Sequence, residues 1–147
     1  MATVGETGWP YIQHRGGPRG FVRALDAETI GFADYRGNRQ YVSVGNLRTD
    51  DRVSLFFMDY ARKARLKVLG RAQIIALEDV AMLARLRLPD DKARVERGFV
   101  IAVEAFDWNC PQHITERYTF EQVREATAQL AERVAELEAE LKHRRSC

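Results

Sequence analysis

Two groups of residues in this 147-residue chain have types and spacing that could do chemistry, and they lie far apart in sequence. The first is the run DWNCPQHI, Asp107 to Ile114, which sets Cys110 three residues before His113. A zinc site needs three or four ligands drawn from cysteine, histidine and carboxylates. The chain holds only His14, His113 and His143 with Cys110 and Cys147, none at ligand spacing, so no metal is expected. A cysteine nucleophile needs a histidine within hydrogen-bond reach and a third group to orient it. Pro111 disfavours the helical turn that would put Cys110 and His113 on one face. Two readings stay open for this run. One is a strand-exit turn, with Cys110 a small buried apolar residue and Asn109 capping local backbone; the other is the wall of a ligand pocket.

The second group lies in FADYRGNRQYVSVGNLRTDDRVSLFF. A strand ending near Asp34 is followed by Gly37, which permits a sharp turn, and by Asn38, a favourable helix N-cap. Tyr41, Val44 and Leu47 then fit helical spacing, while Val42 and Val44 would also suit a strand. In the helical case Arg39 falls in the first turn, where free N–H groups and the helix dipole favour an anion. A guanidinium at that place clamps a phosphate through paired hydrogen bonds.

The elements that must position these groups are mostly strands. The patterns YIQHR (11–15), FVRAL (21–25), TIGFADY (29–35), RVSLFFMDY (52–60), ARLKVLGRAQIIAL (64–77) and GFVIAVEAFDW (98–108) predict six. In the fifth, Leu66, Val68, Ala72 and Ile74 alternate with Lys67, Arg71 and Gln73, the period of a half-exposed antiparallel strand. EDVAMLARLRL (78–88) predicts a short helix stopped by Pro89. Close spacing and tight turns predict a mainly β fold, a six-stranded antiparallel closed or split barrel. Thr119 and Gln122 form a capping box, and Val123, Leu130, Val134, Leu137 and Leu141 follow a heptad with Thr127 in its weak slot. The chain therefore divides into a barrel domain, 1–118, and a long C-terminal amphipathic helix and tail, 119–147, whose seam fits either its own barrel or a partner subunit.

Composition narrows the function. Net charge is only +2, from 23 basic and 21 acidic residues in scattered order, which argues against nucleic acid as a partner. No apolar run reaches the roughly 20 residues of a membrane helix, and MATVGETGWP lacks the pattern of a signal peptide. Two cysteines, one of them terminal, point to a reducing compartment, and the cytoplasm is the expected location.

Four ordered pieces carry a family resemblance: PYIQHRGG, GFADYRGNRQY, GNLRTDDRVSLFFMDY with RLKVLGRA, and VEAFDWNCPQHI. Across roughly residues 9 to 114 the chain resembles the FMN-binding split-barrel proteins related to pyridoxamine 5'-phosphate oxidase. The resemblance implies a homodimer with FMN in a groove at the subunit interface. It implies that Gln13, His14 and Arg15 lie on an early strand that contributes to the phosphate site, and that the backbone of Phe32, Ala33 and Asp34 borders the flavin. It implies that Asn38, Arg39 and Gln40 form the phosphate-binding turn, and favours the helix after it. Arg65 and Lys67 would reach the flavin of the opposite subunit, and Trp108, Asn109, Gln112 and His113 would close one side of its pocket.

Two departures matter. Relatives carry a leading segment with a helix and most of a first strand, where this sequence has only MATVGETG; that implies a short or truncated cover and an exposed barrel edge. The true oxidase of vitamin B6 metabolism ends in an arginine- and histidine-bearing substrate segment, where this chain has a charged heptad helix, so oxidation of pyridoxamine phosphate is not expected. The leading expectation is an FMN-dependent oxidoreductase acting on a small-molecule substrate or electron donor, with no catalytic residue assigned. The alternative is a non-enzymatic flavin- or haem-binding sensor or interaction module.

Overall fold

The computed structural model describes residues 1–37, 39–89, 92–109 and 112–145, with no account of the Arg145 side chain. The element order is β1 (Ala2–Val4), β2 (Pro10–Ile12), β3 (Arg23–Ala24), β4 (Thr29–Tyr35), α1 (Val42–Asn46), β5 (Arg52–Asp59), β6 (Ala64–Ile75), α2 (Val80–Leu86), β7 (Val95–Asn109) and α3 (Phe120–Arg145). The chain falls into two units, Met1–Phe57 with Arg65–Cys110, and Met58–Ala64 with Pro111–Cys147.

The first unit holds one open seven-stranded sheet in the order β2-β1-β5-β6-β7-β4-β3, with antiparallel pairing at β1/β2, β1/β5, β3/β4, β4/β7 and β6/β7. An unclosed antiparallel sheet of this kind is a split barrel. It has one strand more than the patterns predict: Ala2–Val4 pairs with both Pro10–Ile12 and Ser54. Three residues are too few for alternation to be visible, yet Thr3 is buried and accepts a hydrogen bond from Asn46 Nδ2 at 2.9 Å.

β6 obeys its alternation, burying Val68 and Ala72 and exposing Lys67, Arg71 and Gln73, with a register slip against β7 between Leu69 and Gly70. The core gathers Phe32, Val53, Leu55, Val68, Phe99 and Ile101, with the Phe32 ring stacked on Phe99 at 5.2 Å. A second cluster forms where α2 lies on β4 and β7. Leu86 and Leu83 sit over Gly98, where a Cβ would come within 2.4 Å of Leu86 Cδ1; at Gly31 it would come within 2.6 Å of Leu86 Cδ2. Asp79 starts α2 by accepting from the Met82 N–H at 3.0 Å.

Several boundaries differ from the patterns. The strand expected over 11–15 is only Pro10–Ile12, and that over 21–25 only Arg23–Ala24, because the Gly16-Gly17-Pro18 turn interrupts the pairing and Arg15 turns to Asp34. β7 begins three residues before the expected start, where Arg97 pairs with Asp34 and Val95 with Tyr35, a charged stretch that hides its alternation.

In the second unit, Lys63 pairs with Glu116 at 3.1 Å and Arg117 lies 4.3 Å over the Tyr60 ring. The α3 capping box is complete: Thr119 N–H donates to Gln122 Oε1 at 2.8 Å, and Gln122 N–H to Thr119 Oγ1 at 3.2 Å. No described helix is long and apolar enough to cross a membrane.

Candidate functional site

The segment leaving β4 is where the sequence reading changes most. The helix does form, but it starts at Val42, with Tyr41 as an N-cap that makes no side-chain capping bond. Arg39 therefore stands three residues ahead of the helix and not in its first turn. The expected N-cap, Asn38, lies outside the described residues. Arg39 and Tyr41 both take left-handed backbone, at φ 62° and 49°. Such a conformation costs roughly 1–3 kcal/mol per non-glycine residue and persists only where its surroundings hold it.

Those surroundings are visible. The Tyr41 hydroxyl donates to Glu96 Oε2 at 3.0 Å, the Arg97 guanidinium lies 4.6 Å over its ring, and Arg39 Nε–H donates to its oxygen at 3.4 Å. α1 is tied down separately, Ser43 Oγ donating to Gln13 Oε1 at 3.0 Å. The result is a pair of adjoining recesses sharing Gln13, Arg15, Asp34, Tyr35 and Gly37. One is walled further by His14, Phe21, Phe32 and Ala33, the other by Arg39, Gln40, Tyr41 and Glu96.

Charge is concentrated here. Arg15 Nη1 meets Asp34 Oδ1 at 2.8 Å, and Arg97 Nε approaches Asp34 Oδ2 at 3.4 Å without hydrogen-bond geometry. Glu96 is held by Arg97 at 3.2 Å and by Arg36 at 3.9 Å. The lining sets Arg15 and Arg39 against Asp34 and Glu96, and both carboxylates are also paired from outside it, Asp34 by Arg97 and Glu96 by Arg97 and Arg36.

Burial outweighs the ion pair at its centre. Desolvation lowers the pKa of Arg15 despite the attraction of Asp34, and desolvation raises that of Asp34 despite Arg15 and Arg97. Both partners are thus under-compensated, and Arg15 Nε is a buried donor with no acceptor among the described residues. Glu96 is different: burial pushes its carboxyl up, but hydrogen bonds from Tyr41 and Arg97 outweigh this and hold it below its ordinary value. A phosphate monoester would offer acceptor oxygens to the Arg15 Nε and to the exposed Arg39 guanidinium.

The remaining expected site residues lie elsewhere. β7 runs from Arg97, beside Asp34, to Asn109, which pairs with Arg65, while Lys67 forms a 2.8 Å ion pair with Asp107. Twelve extended residues at about 3.3 Å each separate these ends by up to about 40 Å along the strand. Trp108 lines a larger apolar groove of about 690 Å³ with Val22, Phe57, Leu66, Val103 and Phe106. That groove, although larger, cannot seat a phosphate, since its only charged walls are Asp26, Glu28 and Glu104. Asn109 Oδ1 is buried and meets no donor among the described residues, which leave out the adjoining Cys110 and Pro111. Gln112 and His113 are exposed residues of the second unit, His113 with φ 60°, and Cys110 lies outside the described residues. No three described histidine, cysteine or acidic side chains gather as metal ligands would.

Sequence reading missed Arg97, Glu96 and Tyr41. Tyr41 was read only as an apolar helix position, and Arg97 and Glu96 sit in a stretch whose strand start was not legible.

A family model for pyridoxamine 5'-phosphate oxidase matches residues 1–108. The chain belongs to the pyridoxamine 5'-phosphate oxidase family. Among solved structures it is similar to a variant of HupZ from Group A Streptococcus, at 24% identity and TM-score 0.50, over 74% of this chain and 86% of that one. It is also similar to a Clostridium acetobutylicum protein related to general stress protein 26 of the pyridoxinephosphate oxidase family, at 17% identity and TM-score 0.51, over 83% and 84% of the two chains. These likenesses establish the fold. No curated protein matches.

Proposed function

We propose that this family member binds FMN and acts as a flavin-dependent oxidoreductase on a small substrate or electron donor. The observation that carries the reading is the recess lined by Arg15 and Arg39, in which the buried Nε of Arg15 meets no acceptor among the described residues. Arg15 and Arg39 hold the phosphate, Gln13 and Gln40 add amide donors beside it, and the residues of the FMN-bordering strand, Phe32, Ala33 and Asp34, form the wall. Asn38 belongs to the same turn. A bound flavin supplies hydride acceptance and delivery, and the protein supplies binding, orientation and the charge that tunes its potential.

The reading includes a homodimer. In this reading Arg65, Lys67, Trp108, Asn109 and Gln112 serve the cofactor of a second copy; the twelve residues of β7 between Arg97 and Asn109 support that division. Exposed Phe106 and Trp108, in one groove with Phe57 and Leu66, support a face that another chain covers.

The test is the absorbance spectrum of purified protein, followed by FMN titration and addition of nicotinamide nucleotides. A yellow protein that releases flavin on denaturation and is reduced by a donor supports the reading. A colourless protein that takes up no added FMN overturns it. Bound flavin or haem that no donor reduces selects the non-enzymatic sensor alternative.

A further inference from the structure

The helix α3 presents an apolar seam that no described residue covers. Thr127, Val134 and Leu141 occupy heptad position a, and Val123, Leu130 and Leu137 position d. Leu130 and Leu141 are 67% and 56% exposed. A single helix of this kind is marginal in water without packing along its apolar face. We propose that α3 pairs in parallel and in register with α3 of a second copy, forming a two-stranded coiled coil.

Three observations select that occupant. Val134 at a, between Leu130 and Leu137 at d, is the combination that favours two parallel strands. Thr127, the one polar seam residue, donates its hydroxyl to the Val123 carbonyl at 2.9 Å, so its burial in a seam leaves no unsatisfied donor. Charge flanking the seam is complementary for one orientation. Arg133 at g lies five residues before Glu138 at e, the spacing that joins parallel chains, so a dimer gains this pair twice. Antiparallel pairing over the full helix instead sets Arg133 against its own copy. Shifting that register to relieve the repulsion leaves seam residues at one end without a partner layer. Arg133 also holds Glu136 of its own helix at 2.8 Å, and the guanidinium has donors for both.

The pairing uses no residue of the basic recess, so cofactor retention and helix pairing are read independently. The experiment uses the full chain with Cys110→Ser and Cys147→Ser, adding Leu141→Cys at position a or Ala139→Cys at the outward position f. Under a glutathione redox buffer Leu141→Cys converts largely to a disulfide dimer, and Ala139→Cys stays at the level of random collision. The same Leu141→Cys chains carrying Arg133→Glu are then mixed with those carrying Glu138→Arg. Each alone faces like charges across the seam, and the mixture restores both attractive pairs. Mixed disulfide above the one-half of random pairing supports the parallel register. Equal cross-linking at 139 and 141, no cross-linking at 141, or random mixing of the charge variants overturns the proposal.

Discussion

Replacing Arg39 by alanine separates a binding role from a structural one. Arg39 is exposed, and its hydrogen bond to the Tyr41 hydroxyl, at 3.4 Å, is near the long limit for such a contact. Tyr41 keeps Glu96 and Arg97 without it. The apo protein should therefore melt at nearly the same temperature, as exposed substitutions away from packed features do. Loss of a charged hydrogen bond to phosphate corresponds to a rise in FMN Kd of about ten- to a hundredfold. Arg15→Ala is the contrast, because Arg15 is 15% exposed and ion-paired at 2.8 Å, so its loss leaves Asp34 with only Arg97 at 3.4 Å. That variant should lose both retention and roughly 1–3 kcal/mol of stability. Titration of FMN fluorescence and thermal melts of apo protein measure the two quantities. An unchanged Kd in Arg39→Ala refutes the assignment of the recess to phosphate. A weakened Kd with a parallel fall in the apo melting temperature refutes the separation of roles.

Burial holds the Asp34 carboxyl above its ordinary value of 3.8, so its favourable contribution is full below that pH and declines as the pH rises through the raised folded value. Asp34→Asn should flatten that part of the stability–pH curve in urea melts, and an unaltered curve would remove burial as the dominant influence. Gly98→Ala would put a Cβ 2.4 Å from Leu86 Cδ1 and 3.3 Å from Ile75 Cβ, an overpacking worth about 1–3 kcal/mol in chemical denaturation; equal stability would mean that α2 can lift off the sheet freely. Thr119→Ala removes the acceptor for the Gln122 N–H and should cost about 0.5–2 kcal/mol, seen as reduced helicity by far-ultraviolet circular dichroism. Unchanged helicity would show that the cap contributes nothing.

What was legible in the sequence follows from how much signal each feature needs. β4 is seven residues set off by turn signals and buried at its centre on both faces, and its bounds match its pattern residue for residue. The α3 cap was equally plain, since Thr119 and Gln122 satisfy each other locally. Ala2–Val4 was not, because what makes it a strand is its register with Pro10–Ile12 and Ser54. The start of α1 was misplaced for a related reason. Gly37, Asn38 and Arg39 look like a cap and a first turn, but Arg39 and Tyr41 are left-handed, and contacts of Tyr41 with Glu96 and Arg97, 55 residues and more away, hold it so and delay the helix until Val42. Arg15 and Arg39 could be singled out by type; that Arg97 shares Asp34 with Arg15 requires the β4/β7 register.

That register also decides what one chain can do alone. β7 is fixed at its start by Asp34 and Tyr35 on β4 and at its end by Arg65 on β6. Sliding it by one residue would turn Phe99 and Ile101, both fully buried, to the opposite face. The strand is therefore held in register, with Arg97 beside the recess and Trp108 in the apolar groove eleven residues along it. On the proposed reading a cofactor uses both and is shared between copies. FMN binding that weakens when the protein is diluted into its monomer range is the consequence. Affinity independent of protein concentration across that range would mean that the recess alone suffices, and would remove Arg65, Lys67, Trp108 and Asn109 from the cofactor site.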